Sequence, residues 1–513
     1  MTTYEVRAAL KNHARLSQLI YPAQQVRAQE QAAAEACGLS LYQLMELAGQ
    51  AVFEHIQVTY PDKRHWLVCC GKGNNGGDGW VVARLAHQQG LRVEVWTLCP
   101  PEQLRGDAAQ AYRNYLAASG TAPQIAAPQH WRGELIVDAI LGNNVQGPVR
   151  EPQLSAINWI NQQTEKVVSI DLPSGLAADS GATVPVAIQA DSTITLVAHK
   201  LAPLTGAGRQ LAGQITLASL TIQDAFARLA APVAQHFNWR DLPILPARSR
   251  HAHKGNHGHL LCVGSHRGMP GALALSGEAA LRSGAGLVKL DSVAEHLPIY
   301  ASRRAEWLLG TEQDLSQDLS WMSTLLLGPG LGQSDWSSKL FEQCLQFITR
   351  NPLPLLIDAD GLNLLADSPQ TLSHDCVLTP HPKEAARLLG CSVAQIERDR
   401  LQAAINIARK YQAICLLKGA GTIITDGDQH FVCAGGNPGM AVAGMGDVLS
   451  GIIAGLMAQG LTAFDAALFG CAVHAEAADR IARNRGERGI LAADLFDQLP
   501  VLINHAVTTH TSQ

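Results

Sequence analysis

The stretch Ala443-Gly-Met-Gly-Asp447-Val-Leu-Ser-Gly451 combines two glycines, an acid and an apolar run in an order that fits phosphoryl chemistry. The order predicts a backbone loop that leads into a helix N-terminus, where free N–H groups and the helix dipole hold negative charge. An aspartate placed there can take a proton from a hydroxyl that reacts beside a phosphate. The stretch therefore indicates phosphoryl chemistry without deciding which reaction.

Other loops of the second half follow predicted strands, at the edge where ligands of open α/β sheets bind. Lys418-Gly-Ala-Gly421-Thr422 offers an ammonium and successive backbone N–H groups, which suit a phosphate chain. The remaining loops are Gly328-Pro-Gly330-Leu-Gly332, Asp358-Ala-Asp360-Gly-Leu-Asn363 and Leu378-Thr-Pro-His381-Pro-Lys-Glu384. The proline after His381 predicts a rigid turn at a helix start. A substrate contact and a structural role both stay open for this histidine.

The first half has its own glycine-rich turn, Gly71-Lys-Gly-Asn-Asn-Gly-Gly-Asp-Gly79. Its glycines let a backbone approach a ligand closely, and Asp78 can cap the helix that follows. The spacing is neither that of a dinucleotide fingerprint nor that of a nucleotide P-loop. A turn without any ligand is the alternative interpretation.

Two aspartates, Asp138 and Asp171, each end an apolar strand beside a glycine loop. A lone aspartate in this position is usually a cap or turn residue, but two in one sheet indicate a site. Oxygen atoms of Asn75, Asp138 and Ser174 can converge on a hard cation. Lys200 follows another strand and is either a second polar partner or a solvated lysine.

Both halves alternate short apolar strands with amphipathic helices, which predicts two three-layer α/β domains, the first with a doubly wound parallel sheet. The proline-containing segment 225–253 predicts the boundary, so the domains are 1–225 and 226–513. Predicted strands are His65–Cys70, Arg92–Leu98, Leu135–Asp138, Lys166–Ile170, Ser192–Val197, His259–Val263, Leu287–Leu290, Leu325–Leu327, Leu355–Ile357 and Ile414–Leu417. Predicted helices are Ala23–Gly49 (broken at Gly38), Asp78–Gln89, Gly106–Ala118, Gln153–Gln163, Ala272–Ser283, Pro382–Leu389, Ala394–Tyr411, Asp447–Gln459 and Ala463–Asn484.

Composition excludes several classes of protein. The 513 residues are 47% hydrophobic with a net charge of -5, and no run of lysine or arginine offers a track for nucleic acid. No apolar run reaches the roughly 18 residues that span a bilayer, and the first residues lack a secretory pattern, so a cytoplasmic location away from membranes is expected. The eleven cysteines form no CxxC pair, which favours buried reduced thiols. The histidine-rich stretch from His251 to His259 matches no strong zinc spacing and predicts a polar loop before a strand.

Four segments of the first half, in order, resemble the NAD(P)H-hydrate epimerase family. They are Leu44-Met-Glu-Leu-Ala-Gly49, Gly73–Gly79, Asp138-Ala-Ile-Leu-Gly142 and Ile170-Asp-Leu-Pro-Ser-Gly175. The resemblance covers nearly the whole first half. It implies a Rossmann-like fold, interconversion of the R and S epimers at C6 of the hydrated nicotinamide ring, Asp171 at the reacting ring, and a potassium ion on Asn75, Asp138 and Ser174. The substrate-binding residues it implies are Asn74, Asn75, Gly76, Gly77, Asp78, Gly142, Asn143, Asn144, Val145, Gln146, Gly147, Pro148 and Asp171. Because epimerisation at this carbon needs ring opening or loss and return of hydroxide, Asp171 is the candidate acid/base.

About residues 250 to 500 resemble the NAD(P)H-hydrate dehydratase branch of the ribokinase-like superfamily. The matching segments are Val263-Gly-Ser265, Gly328–Gly332, Asp358-Ala-Asp360, Thr379-Pro-His381-Pro and Gly446-Asp447. This resemblance implies ADP as co-substrate, Mg2+, and Asp447 as the base. The residues it implies for the adenine nucleotide are Lys418, Gly419, Ala420, Gly421, Thr422 and Gly446, and those for the hydrated nucleotide are Gly271, Ala272, Gly330, His381 and Asp447.

Together the resemblances imply a bifunctional metabolite-repair enzyme that epimerises hydrated NADH and NADPH and dehydrates the S form, converting ADP to AMP and phosphate. A homo-oligomer is expected. One alternative is a ribokinase-like small-molecule kinase fused to a Rossmann-like ligand-binding module. Another is a first half that binds ligand without catalysis.

Overall fold

The structure is a computed structural model, which describes residues 6–12, 14–129, 131–143, 147–372 and 375–504. The chain forms two compact units, an N-terminal unit of residues 15–235 and a C-terminal unit made of the residues from 236 onward and those before 15. The division lies after Gln235, within the segment 225–253 that the sequence predicted to contain the boundary, although the first predicted domain ends at residue 225. Residue 225 is inside a helix, Gln223–Leu229, whose Phe226 ring packs edge-on against Tyr21 at 5.0 Å, and this contact keeps the segment in the N-terminal unit.

The first helix of the chain, α1 (Val6–Asn12), belongs to the C-terminal unit, where the backbone N–H of Arg7 donates to Asp465 at 2.6 Å. The strands of the N-terminal unit are β1 (Leu19–Ile20), β2 (His65–Cys70), β3 (Arg92–Thr97), β4 (Leu135–Ala139), β5 (Lys166–Ile170), β6 (Ser192–Leu196), β7 (Gln214–Ala218) and β8 (Ala234–Phe237), which ends beyond the division. Its helices are α2 (Ala23–Ala36), α3 (Leu41–Thr59), α4 (Asn74–Gln88), α5 (Gly106–Ser119), α6 (Gln153–Asn161), α7 (Gly206–Leu211) and α8 (Gln223–Leu229).

The main sheet of the N-terminal unit has the order β3-β2-β4-β5-β6-β7, and all its neighbouring strands run parallel. Successive residues of β2 face opposite sides. Trp66, Val68 and Cys70 belong to one apolar cluster, and Leu67 and Cys69 to another. Apolar residues on both faces require helices on both faces, so the predicted parallel three-layer arrangement is confirmed.

The C-terminal unit contains strands β9 (His259–Val263), β10 (Leu287–Asp291), β11 (Leu308–Gly310), β12 (Thr324–Leu327), β13 (Leu355–Ile357), β14 (Cys376–Leu378), β15 (Ile414–Leu417), β16 (Ile423–Thr425) and β17 (His430–Cys433). Its further helices are α9 (Pro270–Arg282), α10 (Leu297–Arg303), α11 (Leu315–Trp321), α12 (Asp335–Arg350), α13 (Asp360–Asp367), α14 (Pro382–Leu389), α15 (Val393–Arg398), α16 (Arg400–Tyr411), α17 (Met445–Ala458), α18 (Ala463–Arg485) and α19 (Leu499–Asn504).

In this second sheet, the strands of the C-terminal unit follow the order β17-β16-β15-β14-β13-β12-β9-β10-β11. They are parallel from β15 to β11, and β16 and β17 extend the sheet antiparallel. The sequence analysis did not predict this antiparallel extension. It also predicted one helix over 394–411, where the structure has α15 and α16 separated at Asp399, whose side chain caps α16 by accepting from Gln402 N–H at 3.0 Å.

Helices α9 and α17 pack backbone to backbone. A Cβ added to Gly451 would lie 2.2 Å from Ser276 O, and one added to Gly455 would lie 2.9 Å from Ala280 O. Only glycine permits this approach, since real Cβ atoms keep greater distances. Both helices begin at the edge of the sheet where the parallel strands end, so their N-termini are held together there.

All eleven cysteines are free thiols, and most are buried, as predicted for reduced cysteines. Every helix among the described residues is too short or too polar to span a lipid bilayer.

Candidate active sites

Asp171 and Lys200 form a buried ion pair in the N-terminal unit. Asp171 follows β5 with a positive φ of 65°, and its Oδ1 accepts from the Lys200 ammonium and from Leu196 N–H at 3.2 Å. The Lys200 side chain is 0% exposed and also donates to Leu196 O at 2.7 Å. Lys200 is therefore not a solvated lysine. The pair places a proton acceptor and a proton donor in direct contact.

Glu30 on α2 lies in the electrostatic field of this pair, and the sequence analysis did not identify it. Burial raises the pKa of Glu30 to about 7, with Lys200 and Arg27 opposing the rise and Asp171 adding to it. Burial also raises the pKa of Asp78, and the charges of Asp171 and Glu30 raise it further. Asp171, Glu30 and Asp78 thus interact electrostatically with one another, and Lys200 acts on the first two.

Asp138 and Ser174 are joined by hydrogen bonds at the ends of β4 and β5. Ser174 Oγ donates to Asp138 Oδ1 at 2.6 Å, and Ser174 N–H donates to Oδ2 at 2.9 Å. Ser169 Oγ and Ile140 N–H complete the contacts at 2.8 and 3.3 Å. Burial raises the pKa of Asp138, and these hydrogen bonds oppose the rise. The structure brings these two predicted cation ligands together.

Asn75 lies against Gly142, since a Cβ added to Gly142 would be 3.3 Å from Asn75 Cγ and 3.4 Å from its Oδ1. Asn75 Nδ2 is buried without a hydrogen-bond partner among the described residues. Arg27 of α2 donates to Asn143 O, which ties this loop to α2. Gly147 and Pro148 are exposed, and Asn144, Val145 and Gln146 lie outside the described residues.

The glycine-rich turn differs from its prediction. Helix α4 begins at Asn74 with Gly73 as its N-cap, so Asn74 to Asp78 form its first helical residues and Asp78 caps nothing. Cβ atoms at Gly76, Gly77 and Gly79 would lie 2.0 Å from Gly71 O, 2.5 Å from Met45 Cε and 2.6 Å from Ala139 Cβ. These glycines therefore permit close packing of α4, and among them no Cβ position faces open space.

Asp447 is the third residue of α17, whose N-cap, Gly444, has a φ of 89°. The predicted loop-to-helix arrangement is confirmed, although the helix begins two residues earlier than predicted. Burial raises the pKa of Asp447 to about 7, and Asp358 and Asp360 contribute to the rise against Lys418. Its carboxylate accepts no hydrogen bond from the described residues, so it is free to take a proton.

Lys418 is held beside Asp447 by buried acids. Its ammonium donates to Asp358 Oδ1 at 2.7 Å and lies 3.9 Å from Glu384 Oε2. Ser450, one helical turn after Asp447 on α17, donates to Asp358 Oδ2 at 2.6 Å. A Cβ added to Gly446 would be 3.4 Å from Lys418 Nζ, so the lysine touches the helix N-terminus. Burial lowers the pKa of Lys418, but Asp358 and Glu384 outweigh burial and leave it raised.

His381 is the N-cap of α14 with Pro382 next to it, as the sequence predicted. Its Nδ1 accepts from the N–H groups of Lys383 and Glu384 at 3.1 and 3.2 Å, which leaves the proton of the neutral ring on Nε2. Burial lowers the pKa of His381, and Lys418 lowers it further, so the ring is neutral near pH 7. The side chain is 46% exposed, and its Nε2 lies 3.5 Å from Glu384 Oε1.

The loop after β12 meets the start of α9. A Cβ added to Gly330, which has a φ of 61°, would lie 3.0 Å from Ala272 Cβ, while one at Gly271 would meet open space. Gly332 N–H donates to Asp360 Oδ2 at 2.8 Å and so joins this loop to α13. The structure brings Ala272 and Gly330 together, with Gly271 facing open space beside them.

The loop from Lys418 to Thr422 rests on Arg400 of α16, which the sequence analysis did not identify. Arg400 is 2% exposed, and its Nη2 donates to Lys418 O at 3.0 Å. A Cβ at Gly419, whose φ is 143°, would be 2.7 Å from this nitrogen. Thr422 Oγ1 donates to Gly419 O at 3.0 Å. Buried arginine and glycine together fix the path of this loop.

The histidine-rich stretch contributes to packing. His259 stacks on the Trp321 ring at 4.7 Å, and its Nδ1 lies 3.1 Å from Trp321 O. Within the described part of the chain, no group of three or more His, Cys, Asp or Glu side chains is placed to hold a metal ion.

The fold and the two sites define a class: an α/β protein of two units, each with acid–lysine groups beside loops at the carboxyl ends of parallel strands. The sequence pattern of the NAD(P)H-hydrate dehydratase family matches residues 260–501, and that of the YjeF-related protein N-terminus matches residues 41–202. The bifunctional NAD(P)H-hydrate repair enzyme of Coxiella burnetii is 43% identical over 491 residues, covering 95% of this chain and 99% of the relative. That of Escherichia coli K12 is 43% identical over 504 residues, covering 97% and 96%. The chain belongs to the family of bifunctional NAD(P)H-hydrate repair enzymes.

Two solved structures are similar to about half of the chain. A ribokinase-like superfamily protein from Enterococcus faecalis is 25% identical with a TM-score of 0.49, covering 52% of this chain and 94% of that protein. An ADP/ATP-dependent NAD(P)H-hydrate dehydratase from Bacillus subtilis, co-crystallised with ATP and Mg2+, is 26% identical with a TM-score of 0.46 over 52% and 94%.

Proposed function

We propose that the N-terminal unit interconverts the R and S hydrates of NADH and NADPH, and that the C-terminal unit dehydrates the S form with ADP, releasing AMP and phosphate. Family membership supports the pair of activities. The observation that carries the dehydration is the position of Asp447, a carboxyl group with a pKa of about 7 and no hydrogen-bond donor from the described residues, at the N-terminus of α17 beside Lys418.

In the C-terminal unit, Asp447 takes the proton of the ring hydroxyl. The terminal phosphoryl group of ADP moves to the oxygen of that hydroxyl, and AMP leaves. The first N–H groups of α17 and the ammonium of Lys418 stabilise the charge on that group. Phosphate then leaves from C6 and a proton is lost from C5, which restores the dihydronicotinamide. Neutral His381 donates from Nε2 to the hydrated nucleotide. The Lys418–Thr422 loop and Gly446 bind the adenine nucleotide.

Mg2+ fits this site because Asp360 supplies oxygen donors of the kind this ion takes beside phosphates. When bound, it would neutralise charge on the nucleotide phosphates. We propose Asp360 as a protein group that would hold it, which leaves the Asp447 carboxylate to take the proton.

In the N-terminal unit, Asp171 and Lys200 supply the base and the acid that exchange of hydroxide at C6 requires. We further propose that the residues from Asn74 to Asp78 and the described part of Gly142–Pro148 contact the substrate. The unpartnered Asn75 amide supports this, since a bound ligand would satisfy it.

The potassium ion stays a proposal. Turning the Asn75 amide about its last torsion places oxygen at the unpartnered position. Asn75, Asp138 and Ser174 then form an oxygen donor set that fits a hard cation. Replacing K+ by a large organic cation is expected to lower the epimerisation rate and leave dehydration of the pure S form unchanged. The same loss in both activities would reject this assignment.

The reaction is tested with the full chain, hydrated NADH, and ADP or ATP in parallel. We expect absorbance of the reduced nicotinamide to return as AMP and phosphate are released from ADP. Accumulation of a stable phosphorylated alcohol would instead support the small-molecule kinase. Asp447→Asn is expected to abolish dehydration and keep epimer exchange, whereas Asp171→Asn is expected to keep dehydration of the S form and leave the R form unused. Exchange at the parental rate in Asp171→Asn would overturn its catalytic role.

Two wider expectations stay predictions. The buried thiols support a reducing, cytoplasmic location. A homo-oligomer would be checked by light scattering of the purified chain.

A further inference from the structure

A cavity of about 930 Å³ opens in the C-terminal unit at the edge of the sheet where the parallel strands begin. The loops described above lie at the edge where these strands end. The walls of this basal cavity come from segment 244–257 and from the C-terminal ends of α9, α17 and α19. The residues that matter for its chemistry are Arg248, His251, His257, Arg282, Ser283 and Gln459.

All ionisable side chains among the lining residues are basic, namely Arg248, His251, His257 and Arg282. The chain as a whole has more acids than bases, 44 against 39, so a lining without a carboxylate is not a consequence of composition. Arg282 is compensated by Glu278 at 2.9 Å. Arg248 has no carboxylate partner among the described residues, so its charge is available to an anion.

Arg248 is fixed in place. Its Nη2 donates to Gly284 O at 2.5 Å and to Gln459 Oε1 at 2.7 Å. Gly284 has a φ of 104°, and a Cβ there would lie 2.3 Å from this nitrogen, so the guanidinium reaches the backbone only because residue 284 is glycine. One nitrogen makes both bonds, and the other N–H donors of the guanidinium have no acceptor among the described residues.

Ser283 supplies the second observation. It is 2% exposed, and its hydroxyl has no hydrogen-bond partner among the described residues. A ligand oxygen in the cavity would give this buried donor a partner.

The ends of α9, α17 and α19 work against an anion, because a helix C-terminus carries negative partial charge. At the end of α9, two carbonyls are already occupied. Gly284 O accepts from Arg248, and Ser283 O accepts from Gln459 Nε2 at 2.9 Å. Burial lowers the pKa of His257, and the charges of Arg248 and His253 lower it further, which agrees with an excess of positive charge at this wall.

We propose that the basal cavity binds a small organic phosphate, with Arg248 and Ser283 on the phosphate oxygens and the apolar part against Leu245, Leu461 and Ile503. A phosphate offers enough acceptor oxygens for a guanidinium, a hydroxyl and a histidine together. No residue proposed for the two reactions lines this cavity, so the test of phosphate binding is independent of the tests of those reactions.

Phenyl phosphate is the probe, titrated calorimetrically into the full chain saturated with AMP to cover a nucleotide site. We expect one equivalent to bind. Arg248→Met is expected to weaken binding by about 10-fold or more, the loss of a charged hydrogen bond, and Ser283→Ala by several-fold. Arg350→Met removes an exposed arginine of α12 and is the matched control, with binding unchanged.

Ser283→Ala removes only an unpartnered hydroxyl, so it keeps the test valid if Arg248→Met fails to fold. Binding of phenyl phosphate should also raise the pKa of His257 in an NMR titration, with the resonance assigned by His257→Gln. Absence of binding, or equal isotherms for the parent, Ser283→Ala and Arg248→Met, would overturn the proposal. Equal weakening of phenyl phosphate binding in Arg350→Met would show that only the overall charge of the protein matters, and this would also overturn the proposal.

Discussion

An acid in each unit lies near a lysine, but the two lysines are used differently. Lys200 is in direct contact with Asp171, whereas Lys418 is bound by Asp358 and leaves Asp447 without an ion-pair partner. Burial can then raise the pKa of Asp447 to about 7, into the range of a general base at neutral pH. The two proposed sites therefore differ: Asp447 is a carboxylate without an ion-pair partner among the described residues, whereas Asp171 is one half of an acid–base pair.

The dehydration rate should follow the ionisation of Asp447. The carboxylate is the active form, so the rate is expected to rise as pH increases through about 7 and then level off. Because the charge of Asp360 raises the pKa of Asp447, Asp360→Asn should move the midpoint to lower pH. The measurement is the pH profile of kcat with the S hydrate. Asp367→Asn, an exposed acid of the same helix, is the control, and a midpoint that moves upward in Asp360→Asn would contradict the assignment.

Lys200 should be essential for stability. Lys200→Met leaves a buried carboxylate without its partner, which typically costs about 3–5 kcal/mol. Lys166→Met, which removes a half-exposed pair with Asp191, should cost no more than about 1 kcal/mol. Urea unfolding measures both. Equal losses would show that the Asp171–Lys200 pair contributes no more than a surface pair.

The sequence predicted Asp138, Asp171 and Asp447 as site residues because each lies at the end of an apolar strand or at the start of an apolar helix. Glu30 and Arg400 were not predicted, since they lie on helices distant in sequence and reach the sites only through the fold. Ser450 carried a weak signal, its spacing of three residues from Asp447 on one helix face.

At the scale of elements, α9 and α17 carry residues of the proposed dehydration site and are joined by a close backbone contact. Ala272 begins one helix and Asp447 the other, and Gly451 sets their separation. The positions of Ala272 and Asp447 near the helix N-termini therefore depend on backbone packing one to two helical turns away.

Gly451→Ala should push the helices apart, because the new Cβ would lie 2.2 Å from Ser276 O. Overpacking of this kind costs about 1–3 kcal/mol, and we expect a lower Tm together with a lower dehydration rate. Gly271→Ala meets open space in α9 and should keep or slightly raise the Tm, since alanine favours helix. A Gly451→Ala protein with parental Tm and rate would contradict the role of this contact.

The glycines of α4 show that a sequence pattern can predict where side chains must be absent without showing what the backbone contacts there. Close approach to a ligand and close packing of a helix both demand a missing side chain, so the two produce the same pattern. The structure separates them, since the Cβ positions of Gly76, Gly77 and Gly79 face protein atoms.

At the scale of the whole molecule, strand–helix alternation predicted both parallel sheets, because buried parallel strands are short apolar runs. It did not predict β16 and β17, whose three and four residues are too short to show a period. The division between units lies within the segment that its prolines marked, but after α8, because the Phe226–Tyr21 contact keeps that helix in the N-terminal unit.

The two activities should be separable between molecules. A mixture of Asp171→Asn and Asp447→Asn chains is expected to convert both epimers completely, since each protein retains the site the other lacks. Conversion is followed by the absorbance of the reduced nicotinamide. Each variant alone is the control, and a mixture that stops once the S form is consumed would show that epimers do not pass through solution.

The buried thiols have a practical consequence. Burial raises the pKa of Cys69 and Cys70 in the N-terminal unit and of Cys262 and Cys415 in the C-terminal unit. Such thiols react with a labelling reagent only while the surrounding structure is transiently open. Mass spectrometry of labelled peptides would therefore report how often each unit opens. The cysteines of the N-terminal unit and those of the C-terminal unit would give two separate labelling rates.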